Sequence, residues 1–158
     1  WIAFGPLATA AALIVISPTS NFDTIPWGTA LIIGAGPAMA TTLVLFCSHF
    51  HQINQDAAVG KKSPLVILGT HRAAEFLPWF VGLIFLLELL PVLLGIWPIT
   101  TLICLISLPS GLDLIKLIKR HHNQPERIKN SKFLALRFQT INGLCLSIGF
   151  AISSFFYN

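Results

Sequence analysis

The run Trp27-Gly-Thr-Ala-Leu-Ile-Ile-Gly-Ala-Gly-Pro-Ala-Met-Ala-Thr-Thr-Leu-Val-Leu-Phe46 carries no charged residue. An α-helix needs about 20 apolar residues to cross the hydrocarbon core of a bilayer, and this run supplies them. Further runs qualify or nearly do, at residues 2–16, 76–97, 99–117 and 133–157. None shows the period-two alternation of a membrane β-barrel. Composition agrees: of 158 residues 54% are hydrophobic and 10% charged, against about 25% charged in an ordinary soluble domain. The mean hydropathy is +0.77. A soluble fold of this size would have to expose much of that apolar surface, and a disordered chain would lack it. The fold class expected is therefore all-α and integral to the membrane. Residues 1–158 read as a single membrane domain of five transmembrane helices.

The basic residues set the expected orientation. Lys61, Lys62 and Arg72 lie between the second and third runs. Lys116, Lys119, Arg120, Arg127, Lys129, Lys132 and Arg137 surround the loop between the fourth and fifth. The connections at 17–26 and 95–98 hold no Lys or Arg. Positive loops stay on the cytoplasmic side, or the stromal side in a plastid. The net charge of +4 is accounted for by this pattern, and nucleic acid is not expected as a partner. Cys47, Cys104 and Cys145 sit inside apolar runs without CxxC spacing, so neither a disulfide framework nor a metal site is expected from them. The chain opens at Trp1 within an apolar run and is read as a fragment lacking an N-terminal part.

The second run continues into polar residues. Phe46 is followed by Cys47-Ser-His-Phe-His-Gln-Ile-Asn-Gln-Asp-Ala-Ala-Val-Gly-Lys-Lys-Ser-Pro64, with no helix breaker before Gly60. On a helix reaching about Val59, His49, Gln52 and Asp56 share one face. A carboxylate and amide oxygens beside two ammonium groups suit Mg²⁺ carried on a diphosphate. An apolar bundle beneath would hold a hydrocarbon tail. The plainer reading is a polar helix end with interfacial lysine anchors. His49 and His51 are two residues apart and diverge on a helix, which disfavours a histidine metal pair.

The stretch His49-Phe-His-Gln52, Asp56-Ala-Ala-Val-Gly-Lys-Lys-Ser-Pro-Leu-Val66 and Leu68-Gly-Thr70 resembles the second aspartate-rich motif of the UbiA-type intramembrane prenyltransferases. Within them it is most similar to the 1,4-dihydroxy-2-naphthoate prenyltransferases, in particular the phytyl-transferring branch of cyanobacteria and plastids. Gln124-Pro-Glu-Arg127, Ser131-Lys-Phe133 and Ala135-Leu-Arg-Phe138 also resemble that branch. The resemblance implies a nine-helix bundle of which this chain is the last five helices. It implies Mg²⁺ as cofactor, a prenyl diphosphate (phytyl diphosphate in this branch) as donor, and 1,4-dihydroxy-2-naphthoate as acceptor. The acceptor loses CO₂, and the product feeds phylloquinone or menaquinone synthesis. The implied setting is the cytoplasmic or thylakoid membrane of a cyanobacterium, or a plastid membrane.

By the same resemblance Asp56 is the metal ligand and catalytic carboxylate, with Gln52 and Asn54 as neutral oxygen donors. Lys61, Lys62 and Arg72 are the expected diphosphate contacts. Relatives carry further acids where this chain has Asn54 and Gln55. The first aspartate-rich motif has no counterpart here, so this chain alone is expected to be inactive. His49, Glu88 and Arg137 are further polar candidates for the cavity. Glu88 stands alone within an apolar run, and a carboxyl there is expected to face the bundle interior. Asp113 and Lys116 are expected to pair. Two other readings fit the same residues. One is a UbiA-type enzyme for homogentisate or 4-hydroxybenzoate; the other is a non-enzymatic transport or assembly subunit using Glu88 and the His49 rim.

Overall fold

The computed structural model describes residues 1–16 and 27–156. The expected non-basic connection at 17–26 and the last residue of the expected fifth run, Tyr157, lie outside the described residues. The described residues form helices joined by short turns and hold no strand. The helices are α1 (Ala3–Ile16), α2 (Trp27–Ala58), α3 (Pro64–Leu68), α4 (Thr70–Leu93), α5 (Ile99–His121), α6 (Pro125–Ile128) and α7 (Ser131–Phe156).

Four of the expected runs form helices long and apolar enough to cross a membrane: α2, α4, α5, and α6 with α7. The run at 2–16 forms α1, a shorter apolar helix. The exterior is as apolar as a lipid-facing surface requires: Phe155, Leu93 and Val15 are more than four-fifths exposed.

α1 lies against α2 because both present small residues. A Cβ built on Gly5 would meet the Ala38 Cβ at 2.5 Å, and one on Gly34 would meet the Gly5 carbonyl carbon at 2.6 Å. Backbones approach this closely only where side chains are absent. Pro6 removes a helix donor, and the first turn of α1 winds wide, with Leu7 N–H donating to Ile2 O.

The core joins α2, α4, α5 and α7 through Leu43, Phe46, Phe50, Leu77, Leu114 and Phe138. Phe46 stacks on Phe80 with centroids 5.0 Å apart, which fixes α2 against α4. α5 begins as a 3₁₀ helix over Ile99–Ser107 and becomes α-helical from Leu108. A 3₁₀ run of this length is uncommon. It lies along α7, where Thr100 donates its hydroxyl to Gly149 O at 2.6 Å.

Both basic loops lie at one end of the bundle, as the charge pattern requires. Thr70, at the start of α4, contacts the His122 ring at 3.1 Å. The His71 and His122 rings meet edge to face at 5.4 Å. The start of α4 lies six residues before the expected run because α3 opens at Pro64 and is capped at Gly69, whose φ of +77° breaks the helix and lets α4 begin at Thr70.

Candidate functional site

α2 is 32 residues long, about 48 Å at 1.5 Å per residue. A hydrocarbon core of about 30 Å leaves its last turns beyond the apolar layer, and these turns carry His49 to Asp56. The helix ends in a Schellman turn. Gly60 takes φ +70°, a value that favours glycine. Lys61 N–H donates to Asp56 O at 2.9 Å and Gly60 N–H to Ala57 O at 3.1 Å. This reversal folds Lys61 back over the turn that holds Asp56. An apolar contact usually closes such a turn; here an ion pair does.

The Lys61 ammonium donates to Asp56 Oδ1 at 3.0 Å, and His49 Nδ1 lies 3.1 Å from Oδ2. Asp56 is buried at 7% exposure while the Lys61 side chain is half exposed. The buried carboxylate thus anchors a cation whose other ammonium hydrogens face outward. Replacing Gly60 by alanine forces a Cβ into the left-handed region at a cost of about 1 kcal/mol. No atom crowds the added methyl, so any loss of activity in the full-length protein would report the turn itself. Activity equal to wild type would show that the turn does not hold Lys61 in place.

The other expected site residues scatter around this centre. Gln52 is half-buried on the Asp56 face. Asn54 is exposed and, two residues from Asp56, points to another side of the helix. Lys62 is exposed. Arg72 is exposed on the first turn of α4, beside Glu75, Phe76 and Trp79. Arg137 is exposed near the start of α7. Asp113 and Lys116 are both exposed and form no ion pair, contrary to expectation; holding two solvated side chains together gains little. Glu88 faces the bundle interior as expected, at 1% exposure.

Sequence reading missed two groups at this end and one deeper. Ser63 is buried at 3% with its hydroxyl beside the Asp56 carboxylate, and Ser131 donates to Cys47 O at 3.2 Å, tying α7 to α2. Asn142 is the partner of Glu88, across 54 residues of sequence. Serines beside Pro64 and at the start of α7 were legible as helix starts, but their partners are set by tertiary packing.

Asp56 has each oxygen engaged, one by Lys61 and one by His49. Among the described residues no group of three or more His, Cys, Asp or Glu is placed to hold a metal. Mg²⁺ takes near-octahedral oxygen ligation, commonly with carboxylates and phosphates together. The residues of this rim do not by themselves fit it.

No established family profile and no solved structure matches the chain. Curated proteins do. The chain is 36% identical over 149 residues to the 2-carboxy-1,4-naphthoquinone phytyltransferase of Synechocystis sp., covering 94% of this chain and 47% of that protein. It is 37% identical over 153 residues to the chloroplastic 2-carboxy-1,4-naphthoquinone phytyltransferase of Arabidopsis thaliana, covering 96% of this chain and 40% of that protein. The chain spans less than half the length of these relatives. Nearly all of it is thus similar to one part of these two naphthoquinone phytyltransferases, the branch that its rim sequence resembles.

Proposed function

We propose that this chain supplies the C-terminal part of a UbiA-type prenyltransferase, which transfers a phytyl group from its diphosphate to 1,4-dihydroxy-2-naphthoate with loss of CO₂. The observation that carries this reading is Lys61, pinned over a buried Asp56 at the mouth of an apolar bundle. A fixed cation at the end of a membrane bundle suits a ligand with an anionic head and a hydrocarbon tail. The identity to phytyltransferases supplies the chemical class.

In this reading Lys61 and Lys62 bind the diphosphate, and Arg72 reaches it from α4. Their charges stabilise the leaving pyrophosphate as the allylic C–O bond breaks. Asp56 and His49 hold Lys61 in place. The acceptor ring carbon that bears the carboxylate then forms the new bond to the allylic carbon, and CO₂ leaves with its bonding electrons restoring the aromatic ring. Mg²⁺ belongs to this proposal as a neutraliser of diphosphate charge. The rim does not fit the ion by itself; with the donor bound, Gln52 would offer it a neutral oxygen and Lys61 and Lys62 would share the neutralisation of the phosphates. α1 is proposed to belong to a fifth span, within a nine-helix bundle. The proposed setting is a cyanobacterial or plastid membrane, in phylloquinone or menaquinone synthesis.

The test is turnover by the full-length protein with phytyl diphosphate and each of three acceptors: 1,4-dihydroxy-2-naphthoate, homogentisate and 4-hydroxybenzoate. Release of pyrophosphate and CO₂ with the naphthoate alone is the expected result. Preference for another acceptor would overturn the assignment. Release with none would overturn the enzyme reading.

A further inference from the structure

A second polar group lies deep in the bundle, away from the rim. Glu88 of α4 and Asn142 of α7 are each 1% exposed. Asn142 donates from Nδ2 to Glu88 Oε2 at 2.9 Å and to Ser107 Oγ at 3.3 Å. Gly36 of α2 presses on the same carboxyl, since a Cβ there would come within 2.6 Å of Glu88 Cγ. The Cys104 thiol of α5 is a further partner of the Glu88 carboxyl, while Asn142 Oδ1 is buried without a hydrogen bond. Polar groups at this depth are costly and mark functional sites.

Asn142 also lines an open cleft of about 370 Å³ between α2 and α7, at whose rim Leu136, Thr140 and Leu144 are exposed. Thr41, Gln139 and Thr140 extend its polar wall, and Leu136 and Leu144 supply apolar faces. Gln139 donates from Nε2 to the Thr41 hydroxyl at 2.6 Å, which itself donates to Pro37 O at 3.1 Å. A flat, largely apolar ligand with a few oxygens suits such a wall. No Lys, Arg, His, Asp or Glu lines the cavity. An anionic ligand would lose its hydration there and gain no counter-charge. Thr41 lies about 22 Å along α2 from Asp56. A ring reacting beside a diphosphate at Lys61 cannot occupy this cavity at the same time.

We propose that the cavity is a second binding site, which receives the neutral, oxygen-bearing ring of the prenylated product once its carboxylate has left. The acceptor before reaction carries that carboxylate and is refused; the product does not and is accepted. Gln139 and the threonine hydroxyls face the ring oxygens. Glu88 is a positioning residue that holds Asn142 in the wall. The identity of the ligand rests on the proposed function, whereas the preference for a neutral ring rests on the cavity alone.

The experiment uses the full-length protein in lipid nanodiscs. Its probes are 2-methyl-1,4-naphthoquinone as the neutral ring and 1,4-dihydroxy-2-naphthoate as the charged one. Gln139→Leu and, closer in shape, Thr41→Val should each weaken binding of the neutral probe about tenfold, the loss expected for one or two hydrogen bonds. Binding of the charged ring should not change. Unchanged neutral binding in both variants overturns the proposal, as does an equal loss for the charged ring. If neutral binding shows this dependence while no phytyl transfer is found, the cavity stands and the reading of the reaction falls.

Discussion

Replacing Asp56 by alanine lowers turnover of the full-length protein by about tenfold or more. The substitution removes the acceptor that holds the Lys61 ammonium at 3.0 Å and the partner of His49 at 3.1 Å. A charged group set loose near the reacting atoms loses alignment, and small displacements of such groups are costly. A double-mutant comparison separates two explanations. If Asp56 acts by holding Lys61, then Asp56→Ala together with Lys61→Ala is no worse than Lys61→Ala alone. If Asp56 is itself a metal ligand, the two losses multiply. The geometry favours the first outcome, because both carboxylate oxygens are engaged by protein groups.

Replacing Gly149 by alanine is expected to destabilise the fold by about 1–3 kcal/mol, because overpacking here pushes on backbone. The added Cβ would lie 2.6 Å from Thr101 Cα and 2.7 Å from Thr100 O. Neither atom can yield without parting α7 from the start of α5. Gly143, on the same helix, is the control. Nothing lies within 4 Å of a Cβ built there. Gly143→Ala should be neutral or slightly stabilising, since alanine favours helix over glycine. Thermal unfolding in detergent should therefore show a lowered midpoint for Gly149→Ala and an equal or slightly raised one for Gly143→Ala. Equal midpoints would show that the seam between α5 and α7 is not closely packed.

The spans were legible where hydrophobicity alone decides them. The run 27–46 is apolar throughout, and its helix continued to Ala58 as the absence of a breaker required. Gly60 was legible as a stop. Its consequence was not, because the Schellman reversal that sets Lys61 on Asp56 depends on a backbone angle and not on residue type. Glu88 was legible as a buried acid from its apolar surroundings. Asn142 was not legible as its partner, because the two residues meet only after α7 packs against α4 and α5. Hydropathy does not mark the first turn of α4, because Thr70, His71, Arg72 and Glu75 are polar. Of the five expected spans the first, at 2–16, stands apart for a simpler reason: among the described residues α1 is shorter than the four helices of membrane-crossing length.

The most direct test of the account is the KM of the full-length protein for phytyl diphosphate, compared between wild type and Lys61→Ala. The account predicts a rise of about tenfold, the worth of one charged contact to phosphate, with the KM for 1,4-dihydroxy-2-naphthoate unchanged. An unchanged KM for the diphosphate would contradict it, and so would a shift confined to the acceptor.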